Sequence, residues 1–232
     1  MSTYLEGFMW IQIRECENRD CFFRYPVLEK ERPGVLCPRC GRMTRLVSER
    51  YVRQEANQAV TSQPVPQVVA LLDNIRSVFN VGSMFRIADG SGISHLHLGG
   101  ITPTPEHSKM GKTALGAERT VPWSYHVNGL QAAQKLQAAN YRLWAIEENG
   151  PQVNSLFTAA PAADRPIVLI VGNEVAGIDP DILTLCECVF SIPMQGQKRS
   201  LNVAVAFGIA AYTMRYALFW DQKGYNLPAW PN

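Results

Sequence analysis

Four cysteines near the start of the chain have the spacing of a tetrahedral metal site. They form two pairs, Cys16-x4-Cys21 and Cys37-x2-Cys40, and each pair can lie on a tight turn that directs two thiolates at one point. Four sulfur ligands suit Zn²⁺, and since they leave no coordination position open, the ion would be structural rather than catalytic. A module this short buries too little apolar surface to fold unaided, so a metal ion would stabilise it. The alternative is unligated thiols in an irregular segment.

Basic residues follow the second cysteine pair. From Arg39 to Arg53 there are five arginines (39, 42, 45, 50 and 53) and one acid, Glu49. This local excess of positive charge suits phosphate contacts with RNA, and a solvated basic surface explains the same run equally well. The net charge of +2 for the whole chain does not by itself indicate a polyanionic partner.

A second concentration of chemistry-bearing residues lies between Ile167 and Met214. Two apolar runs of strand length end at Gly172-Asn173 and at Pro193, and a long apolar segment with the character of a helix begins at Leu201. Ligands of α/β proteins bind where strand ends meet loops and helix N-termini, because backbone N–H and C=O groups are free there. The segment therefore predicts a binding site.

The elements that would position this site alternate between strands and helices. The predicted strands are Val68–Leu72, His95–Leu98, Tyr141–Ile146, Leu169–Gly172 and Val189–Ile192, and the predicted helices are Val81–Asp89, Asn128–Asn140 and the segment from Leu201. Such alternation predicts an α/β fold with a parallel sheet covered by helices on both faces. We expect Asn80 to cap the first helix, Gly82 to allow a close approach, and Gly90 and Gly92 to end it.

Composition shifts divide the chain into four segments. Residues 1–53 form a zinc-ribbon-like module, 54–67 a polar linker with two prolines, 68–220 the α/β domain, and 221–232 a C-terminal tail. The longest apolar run, Val203–Tyr212, is too short to span a bilayer, so no membrane helix is expected. Six cysteines without a secretory signal pattern predict a reducing, cytoplasmic location. Neither a dinucleotide-binding nor a P-loop fingerprint occurs.

Three motifs resemble those of the SpoU (TrmH-type) family of knotted RNA methyltransferases, in the SPOUT class. They are NVGSMFR at Asn80–Arg86, GNEVAG at Gly172–Gly177 and SLNVAV at Ser200–Val205, and KTALGAE at Lys112–Glu118 also resembles a family segment. The likeness spans about Val68 to Trp220. It implies a C-terminal trefoil knot, methyl transfer from S-adenosylmethionine to a ribose 2′-oxygen of structured RNA (tRNA or rRNA), and a homodimer whose site lies near the subunit boundary.

The resemblance also implies roles for individual residues. The catalytic set is Arg86, Asn80, Glu174, Ser200 and Asn202, and the cofactor-binding set is Leu169, Val171, Gly172, Asn173, Gly177, Ile192, Met194, Leu201 and Asn202. We expect Arg86 to hold the phosphate beside the target ribose and to stabilise the developing alkoxide, because guanidinium keeps its proton in nearly all protein sites.

Each role has a plainer alternative. Arg86 would pair with Asp89 on the helix surface, and Asn80 would serve only as a helix cap. Glu174 would cap the helix near Asp179, and Ser200 and Asn202 would cap the apolar helix. His95 and His97, on one side of a strand, are interpreted as structural, and Cys186 and Cys188 as core residues.

Two other functions compete with ribose methylation. One is an RNA-binding protein that keeps the fold without turnover, and the motif residues whose loss would indicate it are all present. The other is methylation of an RNA base in the same pocket, for which the sequence identifies no base-recognition group.

Overall fold

The computed structural model describes residues 8–28, 36–53, 67–148, 153–157 and 164–221. The chain divides into two compact units, Met1–Ser62 and Gln63–Asn232. The predicted boundaries at 53, 67 and 220 stay predictions. Of the predicted linker only Gln67 is described, and of the predicted tail only Asp221.

The first unit contains a three-stranded antiparallel sheet. Its strands are β1 (Phe8–Cys16), β2 (Arg24–Leu28) and β3 (Thr44–Arg53), with β1 between the other two. The cysteine pairs lie at the ends of these strands. Cys16 ends β1 and Cys21 lies in the turn before β2, while Cys37 and Cys40 lie in the turn before β3.

The second unit contains a seven-stranded sheet in which every neighbouring pair of strands is parallel. The strands are β4 (Val68–Asp73), β5 (Leu96–Gly99), β6 (Trp123–His126), β7 (Arg142–Ile146), β8 (Val153–Ser155), β9 (Ile167–Val171) and β10 (Cys188–Ser191). Their order in the sheet is β6-β5-β4-β9-β7-β10-β8. The predicted α/β fold with a parallel sheet is confirmed.

Helices cover both faces of this sheet, as predicted. The helices are α1 (Val78–Ser91), α2 (Gly111–Ala114), α3 (Ala117–Thr120), α4 (Gly129–Ala138), α5 (Pro180–Leu185) and α6 (Val203–Asp221). Side chains of α1, α2, α3 and α6 pack with alternate strand residues into one core, and those of α4 and α5 pack into a second core on the opposite face. All six residues of β4 are buried, because alternate side chains enter the two cores.

The start of α1 differs from the sequence prediction. Asn80 does not cap the helix. Ser77 occupies the N-cap, and its side chain accepts a hydrogen bond from the backbone N–H of Asn80. Serine is as good a cap as asparagine, so the earlier of the two polar residues begins the helix. At the other end Gly90 lies within the helix rather than ending it, whereas Gly92 adopts a left-handed conformation with φ of 76°, as expected for a helix stop.

The predicted knot depends on how the last elements thread. Strand β10 lies between β7 and β8, both of which precede it in the chain. Connections 149–152 and 158–163 lie outside the described residues, so the knot stays a prediction. Among the helices of the described ranges, none has both the length and the apolar character that a membrane crossing requires.

Candidate active site

Glu174 joins the second sequence motif to the first. It lies in the loop after β9, and its carboxylate accepts hydrogen bonds from the backbone N–H groups of Arg76 (2.8 Å) and Ser77 (3.0 Å). It also accepts one from the side-chain amide of Asn80, at 2.9 Å. Glu174 therefore orders the segment that enters α1. The alternative in which it caps the helix near Asp179 is wrong, because Asp179 itself caps α5.

The third motif meets the first through Asn202. Its side-chain amide donates to Oδ1 of Asn80 at 3.1 Å, and its own Oδ1 accepts from the N–H of Ala204 at 2.9 Å. Asn202 is thus both the cap of α6 and a partner of Asn80. No hydrogen bond or ion pair joins the exposed side chain of Ser200 to any described residue. Asn80, Glu174 and Asn202, from three distant parts of the sequence, form one hydrogen-bonded triad.

The loop of Gly172–Gly177 closes on itself. Asn173 and Gly177 exchange backbone hydrogen bonds of 2.9 and 3.0 Å, and Oδ1 of Asn173 accepts from Val175 and Ala176. The Asn173 amide also donates to the carbonyl of Asn74 at 2.7 Å. A Cβ on Gly172 would lie 2.3 Å from backbone atoms of Gly177 and Ile178, so only glycine fits there.

Sequence reasoning missed Glu147, which supports this loop. It follows β7 directly, and its carboxylate accepts from the N–H of Ile178 at 3.1 Å and of Glu148 at 2.9 Å. Its position at the carboxyl end of a predicted strand was the available signal, because the carboxyl ends of parallel strands meet at one edge of a sheet.

Two buried residues that the sequence reasoning missed fix the loop after β4. Asp73 accepts from the N–H of Asp179 at 3.1 Å, and Thr102 accepts from the N–H of Ile75 while donating to the carbonyls of Leu72 and Gly99. Both side chains are at least 97% buried. Burial raises the pKa of Asp73 above its ordinary value. Apart from Gly99, the partners named here are 27 to 106 positions away in sequence, so local patterns gave no signal.

A cavity of about 340 Å³ lies beside the triad, at the carboxyl ends of β7, β9 and β10. Residues lining it that sequence reasoning selected are Gly172, Asn173, Glu174, Gly177, Ile192, Met194, Ser200, Leu201 and Asn202. Leu169 and Val171 are buried in the sheet core and are not among the lining residues. Lining residues that it missed include Glu147, Glu148 and Arg199, so the wall carries both signs of charge.

The Glu174 carboxyl is held ionised. Burial opposes ionisation, but N–H groups of Arg76, Glu174 itself and Ser77, together with the amide of Asn80, outweigh it and lower the pKa of Glu174 below its ordinary value. The triad therefore carries a fixed negative charge at neutral pH.

Arg86 lies apart from the cavity. It is exposed on α1, is not among the lining residues, and forms no ion pair with Asp89 or any other described residue. Asp89 instead accepts a hydrogen bond from Thr120. Arg86 and the exposed Phe79 share one face of the helix, since they are seven positions apart.

The predicted metal ligands come together in the first unit. The Sγ atoms of Cys16, Cys21, Cys37 and Cys40 all lie within 4.8 Å of one another, with Cys16–Cys40 at 3.4 Å and Cys21–Cys37 at 3.9 Å. These separations suit tetrahedral Zn²⁺, since Zn–S bonds of about 2.3 Å place sulfurs roughly 3.8 Å apart. The N–H of Arg42 lowers the pKa of Cys40 to about 7, whereas burial raises the pKa of Cys16 to about 12.

Other predicted residues have structural surroundings. His97 bonds to His126 at 3.0 Å, and Ser124 bonds to His95, His97 and His126, so the histidines join β5 to β6. Cys186 and Cys188 pack against the two cores of the sheet. In the arginine run, Arg45 pairs with Glu15 at 2.7 Å, and the exposed Arg39, Arg42 and Arg50 form no ion pair among the described residues.

Two solved structures share the fold. The TrmH/SpoU tRNA modifying enzyme of A. aeolicus is 25% identical with a TM-score of 0.56, over 68% of this chain and 77% of that one. The SpoU methyltransferase AviRb of Streptomyces viridochromogenes, in complex with AdoMet, is 23% identical with a TM-score of 0.60, over 80% of this chain and 68% of that one. Both structures are of SpoU methyltransferases, so the fold is that of an α/β protein of the SpoU methyltransferase class.

The chain belongs to the SpoU rRNA Methylase family, whose family model matches residues 67–212. The resemblance based on the three motifs is therefore confirmed. The 23S rRNA (guanosine(2553)-2′-O)-methyltransferase RlmP of Bacillus subtilis is 29% identical over 181 residues, 70% of each protein. The 23S rRNA (guanosine-2′-O-)-methyltransferase RlmB of Ralstonia nicotianae is 29% identical over 63% of this chain and 57% of that protein. The chain thus spans between 57% and 70% of the length of these relatives.

Proposed function

We propose that this protein transfers a methyl group from S-adenosylmethionine to a ribose 2′-hydroxyl of structured RNA. The observation that carries the proposal is the triad of Asn80, Glu174 and Asn202, which brings three distant motifs to the rim of one cavity. The chain's membership of the SpoU rRNA Methylase family supports it, as do the names of the curated relatives, which specify 2′-O-methylation of guanosine in 23S rRNA.

The residues lining the cavity fit S-adenosylmethionine. Ile192, Met194, Leu201 and Val203 offer apolar contacts to an adenine ring and a thioether-like chain. Gly172 lies against backbone atoms of Gly177 and Ile178 that leave no space for a side chain, so the loop is closely packed where it borders the cavity. Carboxylates and Arg199 on the same wall suit a ligand with ammonium, sulfonium and carboxylate groups.

The chain's own residues would act mainly by positioning. When bound, the cofactor supplies the methyl group that the ribose oxygen accepts as its proton leaves. Glu174 and Asn202 hold Asn80 and the start of α1 in one arrangement, and this fixes the substrate side of the site. Arg86 would contact the phosphate beside the target ribose and stabilise the charge that develops on its oxygen.

Arg86 does not line the cavity, and we propose that a homodimer completes the site around it. Phe79 on α1 is 49% exposed, and Val205 and Tyr212 on α6 are 50% and 40% exposed. The Asn80–Asn202 bond joins the starts of these two helices, so Phe79 and Val205 belong to adjacent surfaces. A second copy covering this apolar surface would place the face that carries Arg86 at the subunit boundary.

Light scattering tests the homodimer. Val205→Arg introduces a charge into the proposed interface and is expected to yield monomers without loss of fold. Val127→Arg is the matched control, because Val127 is 82% exposed in the loop before α4. A wild-type protein that is monomeric at micromolar concentration contradicts this part of the proposal.

Methyl transfer itself is tested with labelled cofactor and bulk cellular RNA. Ribose methylation places the label in alkali-resistant dinucleotides of ribosomal RNA or tRNA. Label released with the bases would indicate base methylation instead. RNA binding without any incorporation would indicate a non-catalytic RNA-binding protein. All six cysteines are described and none forms a disulfide, which supports a cytoplasmic location for the reaction.

The role of Arg86 has a separate test. Arg86→Ala is expected to reduce turnover by about a hundredfold or more, as loss of one group that stabilises developing charge does. Cofactor affinity measured by calorimetry should remain within a few-fold of wild type, because Arg86 does not line the cavity. A large loss of affinity would place Arg86 in the cofactor site.

We also propose that Cys16, Cys21, Cys37 and Cys40 hold one structural Zn²⁺. The support is the convergence of four sulfurs at tetrahedral spacing. Elemental analysis of the purified protein is expected to give one zinc per chain. A content below about half a zinc per chain contradicts the site, because such sites bind tightly.

A further inference from the structure

The two cysteine turns of the first unit have the same backbone geometry at equivalent positions. In each turn the residue after the second cysteine has a positive φ, namely 48° at Phe22 and 71° at Gly41. Each also donates its N–H to the carbonyl four residues earlier, Phe22 to Asn18 and Gly41 to Cys37. The second turn has glycine, the residue that this conformation favours, whereas the first turn has a phenylalanine.

Neither backbone geometry nor packing accounts for Phe22. Left-handed backbone is unfavourable for a bulky side chain, so glycine would fit the turn better. The ring does not compensate by burial, since Phe22 is 66% exposed. Strained backbone positions cluster at functional sites, and exposed apolar patches mark interaction surfaces.

Phe22 belongs to an exposed surface that we call the knuckle face, formed by Phe22, Phe23, Tyr25, Leu36 and Met43. The rings of Phe23 and Tyr25 stack at 5.5 Å with an interplanar angle of 24°. The Tyr25 hydroxyl donates to the carbonyl of Leu36, which pairs with Met43. Leu36 and Met43 are 56% and 50% exposed. Contacts therefore link Phe23, Tyr25, Leu36 and Met43 between the two cysteine turns, and Phe22 adjoins Phe23 in the chain.

Cations accompany these apolar groups. Arg39 and Arg42 lie in the second turn, exposed and without an ion pair among the described residues. The two turns are held together, because the sulfurs of Cys21 and Cys37 are 3.9 Å apart. Zn²⁺ with four thiolates would leave two net negative charges, and Arg39, Arg42 and Arg50 are the described arginines from 39 to 50 that have no ion pair with a described residue, since Arg45 is paired with Glu15.

We propose that the knuckle face binds an unpaired segment of RNA, with Phe22 stacking on a base and Arg39 and Arg42 contacting the flanking phosphates. Exposed rings beside arginines are the chemistry by which proteins bind single-stranded nucleic acid. An acidic protein surface would satisfy the arginines but would leave the ring faces without planar partners, so RNA fits better. The choice of RNA as ligand rests on the proposed function, whereas the stacking site rests on the first unit alone.

Phe22→Gly provides a sharp test in the full-length protein. It removes the ring and supplies the residue that the turn favours, so melting temperature and zinc content should not fall. Affinity for a labelled, unstructured oligouridylate is expected to weaken by about fivefold or more, the effect of losing one stacked base. Val47→Ala, which shortens another exposed apolar side chain of this unit, is the control and should leave affinity unchanged. Duplex RNA should bind both variants equally.

Phe22→Trp gives a second, direct readout. It retains a ring, so affinity should persist, and the added indole emission should be quenched when oligouridylate binds. Unchanged affinity in Phe22→Gly together with unquenched emission in Phe22→Trp overturns the proposal. The exposed ring would then serve as a contact with another protein. The outcome is independent of catalysis. Ring-dependent binding without ribose methylation would refute the proposed function and leave this inference standing.

Discussion

At the scale of single residues, Glu174 is the connection on which the site depends most. Its carboxylate receives two backbone N–H groups and one amide. Glu174→Gln removes the charge and turns one acceptor into a donor. We expect it to reduce the free energy of unfolding at pH 7 by about 1–2 kcal/mol. Chemical denaturation of the two proteins measures the difference.

The effect of this substitution should depend on pH with a definite sign. The pKa of Glu174 is lowered by folding, so its contribution is complete above the ordinary value of 4.5 and is lost as pH falls below it toward the lowered pKa. The difference between wild type and Glu174→Gln should therefore narrow in acid. A constant difference from pH 7 to pH 3 would contradict an ionised, hydrogen-bonded carboxylate.

Substitution of Asn202 distinguishes the loss of a helix cap from the loss of a contact in the candidate active site. Both Asn202 and Asn128 accept N–H groups at a helix start, but only Asn202 also reaches Asn80. Alanine at either position should cost about 1 kcal/mol of stability, the usual effect of a lost cap. Only Asn202→Ala should also weaken cofactor binding in calorimetry. Equal cofactor affinity in the two variants would reduce Asn202 to a helix cap.

At the scale of elements, the loop after β9 requires glycine at one position. A Cβ on Gly172 would lie 2.3–2.4 Å from three backbone atoms, which cannot move aside as a side chain can. Gly172→Ala should therefore destabilise the fold by about 2 kcal/mol or more and abolish cofactor binding. Gly111→Ala is the control, since its Cβ would meet only Glu118 at 3.6 Å. Retained cofactor affinity in Gly172→Ala would exclude this loop from the cofactor site.

The histidine cluster gives the junction of β5 and β6 its own pH dependence. Burial and the neighbouring His95 and His126 lower the pKa of His97 to about 4. The unfolded chain therefore binds more protons between about 6.5 and 4, and stability falls as pH decreases through this window. Because His97 is partly exposed, we expect a loss of the order of 1 kcal/mol. His97→Asn should show a shallower loss in thermal melts at pH 7 and pH 5.

Elements with strong local signals were predictable. Strand β4 is apolar up to its last residue, Asp73, and α4 lies within the predicted range Asn128–Asn140, with Asn128 as its cap. Strand β6 was missed because it has four residues and none is fully buried. Strand β8 was missed because it has only three residues. Such strands are fixed by their neighbours in the sheet rather than by their own patterns.

At the scale of the whole molecule, the sequence motifs identified the residues of the candidate site but not the residues that hold its loops in place. Glu174 and Asn202 lie 94 and 122 positions after Asn80, yet the three residues form one network. Their convergence was predicted from resemblance, and no local pattern could have given it. Asp73 and Thr102 support the same loops through long-range bonds between backbone and side chain. Any buried polar residue can form such a bond, so the sequence gave no signal that distinguished Asp73 and Thr102 from other polar residues.

The division into two units predicts that metal removal acts locally. Among its described residues the first unit has a three-stranded sheet and few buried side chains, whereas the second has two apolar cores of its own. Stripping zinc with a strong chelator should therefore unfold the first unit, with loss of amide protection in β1–β3. Protection in β4, β9 and α1 should persist, and cofactor affinity should change less than about twofold, because the lining residues all belong to the second unit.

Hydrogen exchange followed by mass spectrometry measures both units in one sample. Unfolding of the second unit on chelation would show that its stability depends on the first, and unchanged protection in both would show that the cysteine cluster needs no metal to fold.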